Sequence, residues 1–375
     1  MLSGAKRRLC IVNPYEHGGG AEYQISLLID ALAAAGRYEV HYLAHFVDER
    51  TRARNYRIHH VGRKGPMPPL GYILDARSLF RTLRAIEPDV IYQRVACGYT
   101  GLCAWYAQRH SIPMVWHVAH DTDVAPQILD AARNFVRLRL EKRLVEYGAR
   151  HATRVVVQTR QQAALLRTHY RRSADAVIGN FHPPAAQAAP KNGPRTVVWI
   201  ANLKPWKQPE VFVRLAQALA DRGDVRFIMV GAPAAHSANH EWQDALLRSI
   251  EATPNLSYVG HKTHDEVNEL LAHAHIFVNT STQEGFPNTF IQAWLRSVAV
   301  VSLTVDPDQV LERLQVGIAT QTESALITAV RRLLDDAEEC AAYARRGRLH
   351  AAANHSLHNA GELIRLIDAA CSQIT

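Results

Sequence analysis

The sequence predicts an α/β protein made of two doubly wound parallel sheets. Short apolar runs alternate with segments of helical spacing through residues 9–158. The alternation breaks at residues 181–194, FHPPAAQAAPKNGP, and restarts at Thr196. Alternation of this kind implies a parallel sheet covered by helices on both faces, because parallel strands need a crossover that is usually a helix. A proline-rich stretch of small residues between two such series reads as a domain boundary. The 375 residues fit two domains at ~150 residues each.

The elements follow in order. Residues 9–13 form the first strand. Residues 21–35 form a helix with Ile25, Leu28, Ile29 and Leu32 on one face, stopped by Gly36. Strands are predicted over 38–46, 89–93, 114–118 and 154–158, with helices over 73–86, 102–110 and 135–147. The last is basic and amphipathic. After the linker, strands are predicted over 196–201, 226–230, 256–259, 276–280 and 298–303. Helices are predicted over 209–221, 241–250, 264–273 and 288–296, and a long helical tail starts at Glu323. Open sheets of this type bind ligands at the carboxyl ends of their strands. With two such Rossmann-like units facing each other, the expected site is the cleft between them.

Composition narrows the class. Hydrophobic residues make up 47% and charged residues 21%, which is globular and excludes disordered and collagen-like chains. Apolar runs such as Ile276-Phe277-Val278 fall far short of the ~20 residues of a membrane helix. The basic start leads into Leu9-Cys10-Ile11-Val12, too short for a signal-peptide core. The five cysteines (Cys10, Cys97, Cys103, Cys340, Cys371) are odd in number and form no CxxC. They read as reduced thiols of a cytoplasmic protein, not as a disulfide scaffold or zinc ribbon. The net charge is +8, but residues 1–185 carry +11 and the remainder −3. The positive field of the first half suggests a polyanion there: nucleic acid, an anionic membrane surface or a phosphorylated substrate.

Three strand-to-helix connections could carry chemistry. His17-Gly18-Gly19-Gly20-Ala21-Glu22 opens the first helix, where glycines let backbone approach a ligand and a helix start offers N–H groups to an anion. A tight turn with nothing bound is the alternative. Ala201-Asn202-Leu203-Lys204-Pro205-Trp206-Lys207-Gln208-Pro209 follows the first strand of the second unit, and a lysine there can reach a phosphate. Ser281-Thr282-Gln283-Glu284-Gly285-Phe286-Pro287-Asn288-Thr289-Phe290-Ile291-Gln292 also joins a strand to a helix. Pro287 suits a first helical turn. The amides of Asn288 and Thr289 would then form an anion site.

Together these connections resemble the GT-B fold glycosyltransferases, within them the retaining family called family 4. The resemblance covers essentially the whole chain: a GGAE-type loop, the lysine and an E-x7-E-type element, in that order. It implies an N-terminal acceptor domain over 1–183 and a C-terminal nucleotide-sugar donor domain over 184–354. It also implies a final helix, about 355–375, packing back on the first domain. Lys207 and the Asn288 and Thr289 amides would hold a diphosphate, and Glu284 the donor sugar. Gln292 would take the ribose position. Gly19, Gly20, Asn202, Gly285, Phe286 and Pro287 complete the expected donor-binding set. Two positions depart from the pattern. Gln292 replaces the second Glu and still accepts a hydroxyl hydrogen bond. Asn202 stands where an Arg is usual, so one phosphate-binding cation is missing unless Lys204 substitutes.

Other features are less specific. The family places a His near the reacting sugar; His120 fits that position best, and His117, still on the strand, is the other choice. Asp121-Thr122-Asp123 matches a DxD metal motif, but so does Asp306-Pro307-Asp308, at the frequency chance allows. His236 and His240 have helical ligand spacing and no third ligand. No metal and no cofactor beyond the donor substrate is expected. On the basic helix, Val136, Leu140, Leu144 and Tyr147 form an apolar stripe beside Arg133, Arg137, Arg139, Lys142 and Arg143. That stripe either packs on the sheet or rests on an anionic membrane surface. Residues 48–69, rich in Arg and Pro, offer part of an acceptor site.

The expected function is therefore transfer of a sugar from a nucleotide diphosphate donor to a glycan or lipid-linked glycan in cell-surface polysaccharide synthesis. The catalytic set would be His120, Lys207 and Glu284, working without metal in the cytoplasm or at the inner face of the cytoplasmic membrane. A nucleotide-sugar epimerase on the same fold would consume donor alone. A nicotinamide-dependent oxidoreductase would need GxGxxG and an acidic residue ~20 residues on, and the first loop does not comply. A nucleic-acid partner would need basic motifs interleaved with aromatics, which are missing.

Overall fold

The computed structural model describes residues 6–47, 54–63, 71–125, 136–185, 191, 193–233 and 240–372. The chain forms two compact units, Met1–Phe181 with Leu357–Thr375 and His182–Ser356.

The first unit is a seven-stranded sheet of β1 (Arg7–Val12), β2 (Tyr38–Ala44), β3 (Arg57–His60), β4 (Val90–Arg94), β5 (Met114–His117), β6 (Arg154–Val157) and β7 (Ala176–Val177). Its order is β3-β2-β1-β4-β5-β6-β7, and every pairing is parallel. Alternate residues of β1 face opposite sides. Cys10 and Val12 join the core under the helices Ala76–Ile86 and Gly98–Arg109. Leu9 and Ile11 join the core under Gly20–Ala35 and His358–Ser372. The last helix buries Leu363, Ile364 and Ile367 there, so the C-terminal segment belongs to the first unit. Its Asp368 pairs with Arg7 at 3.1 Å and Arg37 at 3.0 Å and accepts from the Tyr38 hydroxyl at 2.5 Å.

The second unit is a six-stranded parallel sheet of β8 (Arg195–Ile200), β9 (Val225–Val230), β10 (Leu256–Tyr258), β11 (Ile276–Asn279), β12 (Ala299–Ser302) and β13 (Gly317–Ala319), in the order β10-β9-β8-β11-β12-β13. β11 is buried along its whole length, which is why it reads as an uninterrupted apolar run. In each sheet the winding reverses once, between β1 and β4 and between β8 and β11. At such a switch point the loops after the two strands diverge and leave a crevice. Lys207 lies after β8 and Glu284 after β11, so the topology alone brings them to one crevice.

Several elements differ from the sequence expectation. β3, β7 and β13 lie at or beside sheet edges with few apolar residues to announce them; β3 reads RIHH. The helix Arg160–Tyr170 is an additional element outside the predicted set. The helix expected over 73–86 begins as a 3-10 turn, Gly71–Asp75, and becomes α-helical at Ala76–Ile86. The tail from Glu323 is three helices, Glu323–Asp335, Ala337–Asn354 and His358–Ser372. Asp336 separates the first two by accepting from the N–H groups of Glu338 and Glu339 at 3.0 and 2.8 Å.

The basic helix, Val136–His151, buries a face that only partly overlaps the stripe read from the sequence. Val145, Gly148 and Ala149 are its buried residues, packed against Gly98–Arg109. A Cβ on Gly101 would lie 2.3 Å from the Leu144 carbonyl, and one on Gly148 would lie 2.5 Å from the Thr100 carbonyl. The helices therefore cross backbone to backbone. Leu144 and Tyr147 also pack partly against this core, and with Leu140 they line an open apolar groove beside Ile73, Phe80 and Trp105, while Arg139 and Arg143 are exposed. Residues 133–135 and the side chains of Val136 and Arg137 lie outside the described residues. Among those described, no helix is long and apolar enough to cross a membrane.

Candidate active site

At the crevice of the second sheet, the Lys207 ammonium pairs with the Glu284 carboxylate. Both side chains are largely shielded, at 18% and 15% exposure. Glu284 also accepts from the Ser281 hydroxyl at 2.8 Å. The two loops are laced together beneath the pair. Trp199 Nε1 donates to Thr280 Oγ1 at 2.8 Å, and the Thr280 hydroxyl donates to the Lys207 carbonyl at 2.6 Å. Thr282 N donates to the Trp206 carbonyl at 2.9 Å. Lys207 is thus held on a 3-10 turn, Pro205–Lys207, fixed to the strand end that carries Glu284. Sequence reasoning placed Ser281 on the connection and Thr280 at the strand end but gave neither a role; two hydroxyl residues directly after a buried apolar strand are the signal that could have assigned one.

The helix Asn288–Leu295 begins four residues after Glu284, and no side chain caps it. Pro287 sits at its N-cap, one position earlier than expected. The Asn288 side chain is occupied by His182 Nε2 at 3.2 Å. Burial pushes the His182 pKa down to about 4, so the ring is neutral near pH 7. Gln292 is buried (2% exposed) and its amide donates to Asn268 Oδ1 at 3.0 Å. Phe286 lies in the core, its ring 4.4 Å from His355 and 6.2 Å from Trp294, and Gly285 beside it is buried. Asn202 Oδ1 accepts from Ala232 N at 3.4 Å. There the ends of β8 and β9 nearly touch: a Cβ on Gly231 would lie 1.7 Å from the Ala201 carbonyl. Lys204 lies over the Trp206 ring at 5.0 Å, turned to that ring.

In the first unit the glycine loop starts the helix Gly20–Ala35, with Gly19 as its extended N-cap. Gly18 has φ +113, which favours glycine. A Cβ on Gly19 would meet Glu22 Oε2 at 2.5 Å, and the other Glu22 oxygen accepts from Asn13 Nδ2 at 2.9 Å. The Glu22 carboxylate therefore folds back over the helix start. Glu16 is a further buried acid that the sequence did not flag; it meets Arg54 Nε at 2.6 Å and the Tyr56 hydroxyl at 2.7 Å.

The two histidines separate clearly. His117 is fully buried; Tyr92 OH and Arg94 Nη1 lie 2.8 and 3.2 Å from its Nδ1. Burial, then the Arg94 charge, holds its pKa well below the ordinary value. His120 is half-buried at the loop start, and its Nδ1 accepts from Thr122 N at 3.1 Å. In the neutral ring this puts the proton on Nε2, making that nitrogen a donor. The two aspartates turn apart. Asp121 accepts from Gln162 Nε2 at 3.0 Å, and Asp123 from Ala119 N at 2.8 Å and His120 N at 3.1 Å. Among the described residues no group of three His, Cys, Asp or Glu is arranged around a metal. His236 lies outside them, as do residues 48–53 and 64–69 of the expected acceptor segment.

Two Rossmann-like units, each with one topological switch point and the second carrying a Lys–Glu pair there, define a GT-B class protein. The chain belongs to the family 4 and group 1 glycosyltransferases: residues 18–183 match Glycosyltransferase Family 4 and residues 194–336 match Glycosyl transferases group 1. No curated protein matches it by sequence. Sucrose-phosphate synthase from Thermosynechococcus elongatus shares the fold at TM-score 0.77 and 18% identity, covering 97% of this chain and 100% of that one. Anabaena HepE, solved with UDP and glucose, gives 0.73 and 18%, covering 96% and 98%. WaaG, a glycosyltransferase involved in lipopolysaccharide biosynthesis, gives 0.75 and 12%, covering 96% and 99%.

Proposed function

We propose that this glycosyltransferase moves a sugar from a nucleotide diphosphate donor to a glycan acceptor, with the anomeric configuration retained and without a metal. The observation that carries the reading is the Lys207–Glu284 pair at the β8/β11 switch point, four residues before an uncapped helix. Each group neutralises the other, and a donor would divide them. The diphosphate would take Lys207 and the helix start; sugar hydroxyls would take Glu284. As the bond from the anomeric carbon to diphosphate oxygen breaks, Lys207 and the helix start would stabilise the growing negative charge. The acceptor oxygen would bond to that carbon from the same face, and its proton would pass to the departing diphosphate. His120 Nε2–H would orient the sugar. HepE is solved with UDP and with UDP-glucose, which favours a uridine donor. The lipopolysaccharide role of WaaG favours a lipid-linked glycan acceptor. The +11 charge of residues 1–185 suits work beside an anionic membrane surface on the cytoplasmic side.

Thermal denaturation in a panel of nucleoside diphosphates, with NAD and NADP beside them, tests the reading. A ligand at 100 times its Kd adds about 2.7 kcal/mol of stability. One diphosphate should stabilise the protein, and Lys207→Ala should abolish the shift. Stabilisation by NAD alone would overturn the function. With an acceptor in hand, the anomeric proton coupling of the product decides retention.

A further inference from the structure

The second sheet has a polar pocket at the opposite end from Lys207 and Glu284. It is open, about 510 Å³, and includes Lys191, Arg195, His275, Ser297 and Arg345 in its lining. Arg195 is the first residue of β8, His275 immediately precedes β11, and Ser297 lies just before β12, so these residues mark the amino ends of the strands. Arg345 comes from the helix Ala337–Asn354, where Ala341 and Ala344 leave the space beside it open.

The pocket is built. His275 Nδ1 accepts from Thr196 N at 3.1 Å, and the ring also bonds to the Lys191 main chain. Lys191 Nζ donates to the Ser297 carbonyl at 2.5 Å, which uses one of its three N–H groups. Burial pushes the Lys191 pKa down to about 8. Among the described residues no carboxylate forms an ion pair with Lys191, Arg195 or Arg345. Elsewhere in this unit Arg214 pairs with Glu323, Arg222 with Asp224 and Asp335, and Arg331 with Asp221. The acids nearest the pocket are committed: Asp224 to Arg222, Glu339 to Arg332, and Asp336 to the N–H groups of Glu338 and Glu339. Asp224 lies within charge range of Arg195 but is ion-paired with Arg222. The three cations at one recess still repel each other, and a bound anion removes that cost.

We propose that this recess binds a phosphate monoester at a site separate from the donor crevice, with the Arg195 and Arg345 guanidiniums on phosphate oxygens and Lys191 completing the charge. Arg forks match phosphate oxygens, and three positive groups match a dianion. The ester is a free phosphorylated metabolite or a lipid headgroup. The site goes beyond the proposed transfer reaction and does not depend on it.

Calorimetric titration of the full chain with glycerol 3-phosphate tests this. Lys207→Ala should leave the affinity within twofold. Arg195→Gln with Arg345→Gln should weaken it at least tenfold at an unchanged melting temperature. Arg345→Gln alone, on an exposed helix position, should weaken it severalfold. Unchanged affinity in the double variant, or loss in Lys207→Ala instead, would overturn the site. Vesicles of phosphatidylcholine with phosphatidic acid separate the two sources. No co-sedimentation, with soluble ester still bound, supports the metabolite. Co-sedimentation lost in the double variant supports the same site with a headgroup as ligand.

Discussion

At the residue scale, Glu284 has two opposed effects on the proposed donor. It competes with a diphosphate for Lys207, and it offers an acceptor to sugar hydroxyls. Glu284→Gln keeps a side chain able to accept from Ser281 but releases the lysine. UDP affinity should therefore rise several-fold in the variant, while turnover with UDP-sugar falls by ~10²-fold, the scale of losing about 2.7 kcal/mol of transition-state binding. Calorimetry with UDP and initial rates with the sugar nucleotide would read the two effects separately. A fall in UDP affinity would mean that Glu284 holds the nucleotide rather than competing with it. Lys207 and Glu284 each lie on a predicted strand-to-helix connection, and it was the resemblance to family 4 that singled them out within it. Gln292 was legible as a position but not as a contact: its amide is turned to Asn268, a residue on a different helix that no local pattern connects to it.

At the element scale, strands of the central sheets were legible because burial on both faces leaves continuous apolar runs, as in β1 and β11. β3 and β13 were not, because an edge strand needs little apolar surface. The Val136–His151 helix shows a different limit. Its large residues left two readings open, packing on the sheet or resting on a membrane, and the tightest contact runs through Gly148 and Ala149, where the small size of the residues matters. Gly101→Ala should destabilise the first unit by about 1–3 kcal/mol, since the added methyl meets backbone that cannot yield. Gly361→Ala supplies the contrast. Its new Cβ would meet only the flexible end of Arg365 at 3.8 Å, in the helix His358–Ser372. That change should stabilise by about 0.5–1 kcal/mol through helix propensity. Denaturant titrations of both variants check the signs; a neutral Gly101→Ala would mean that the two helices slide apart at little cost.

At the scale of the whole molecule, charge and burial combine in the response to acid. The chain holds 20 histidines, and burial lowers the pKa of several of them in both units. His117 in the first unit lies well below its ordinary pKa, and His182 and His275 in the second are each lowered to about 4. Between pH 6.5 and pH 4 the unfolded chain takes up a proton at His182 that the folded chain refuses. Stability from His182 is thus full above pH 6.5, falls through that window, and stops falling below about 4. The slope approaches about 1.4 kcal/mol per pH unit for a fully buried group such as His182; His275 is only half-buried and adds less. Melting temperature should therefore drop steadily from pH 6.5 to 4.5, and His182→Asn should flatten part of that drop. The variant keeps a polar group near Asn288 while removing the titration. A profile identical to that of the native chain would show that His182 is protonated without cost and that other groups set the acid response.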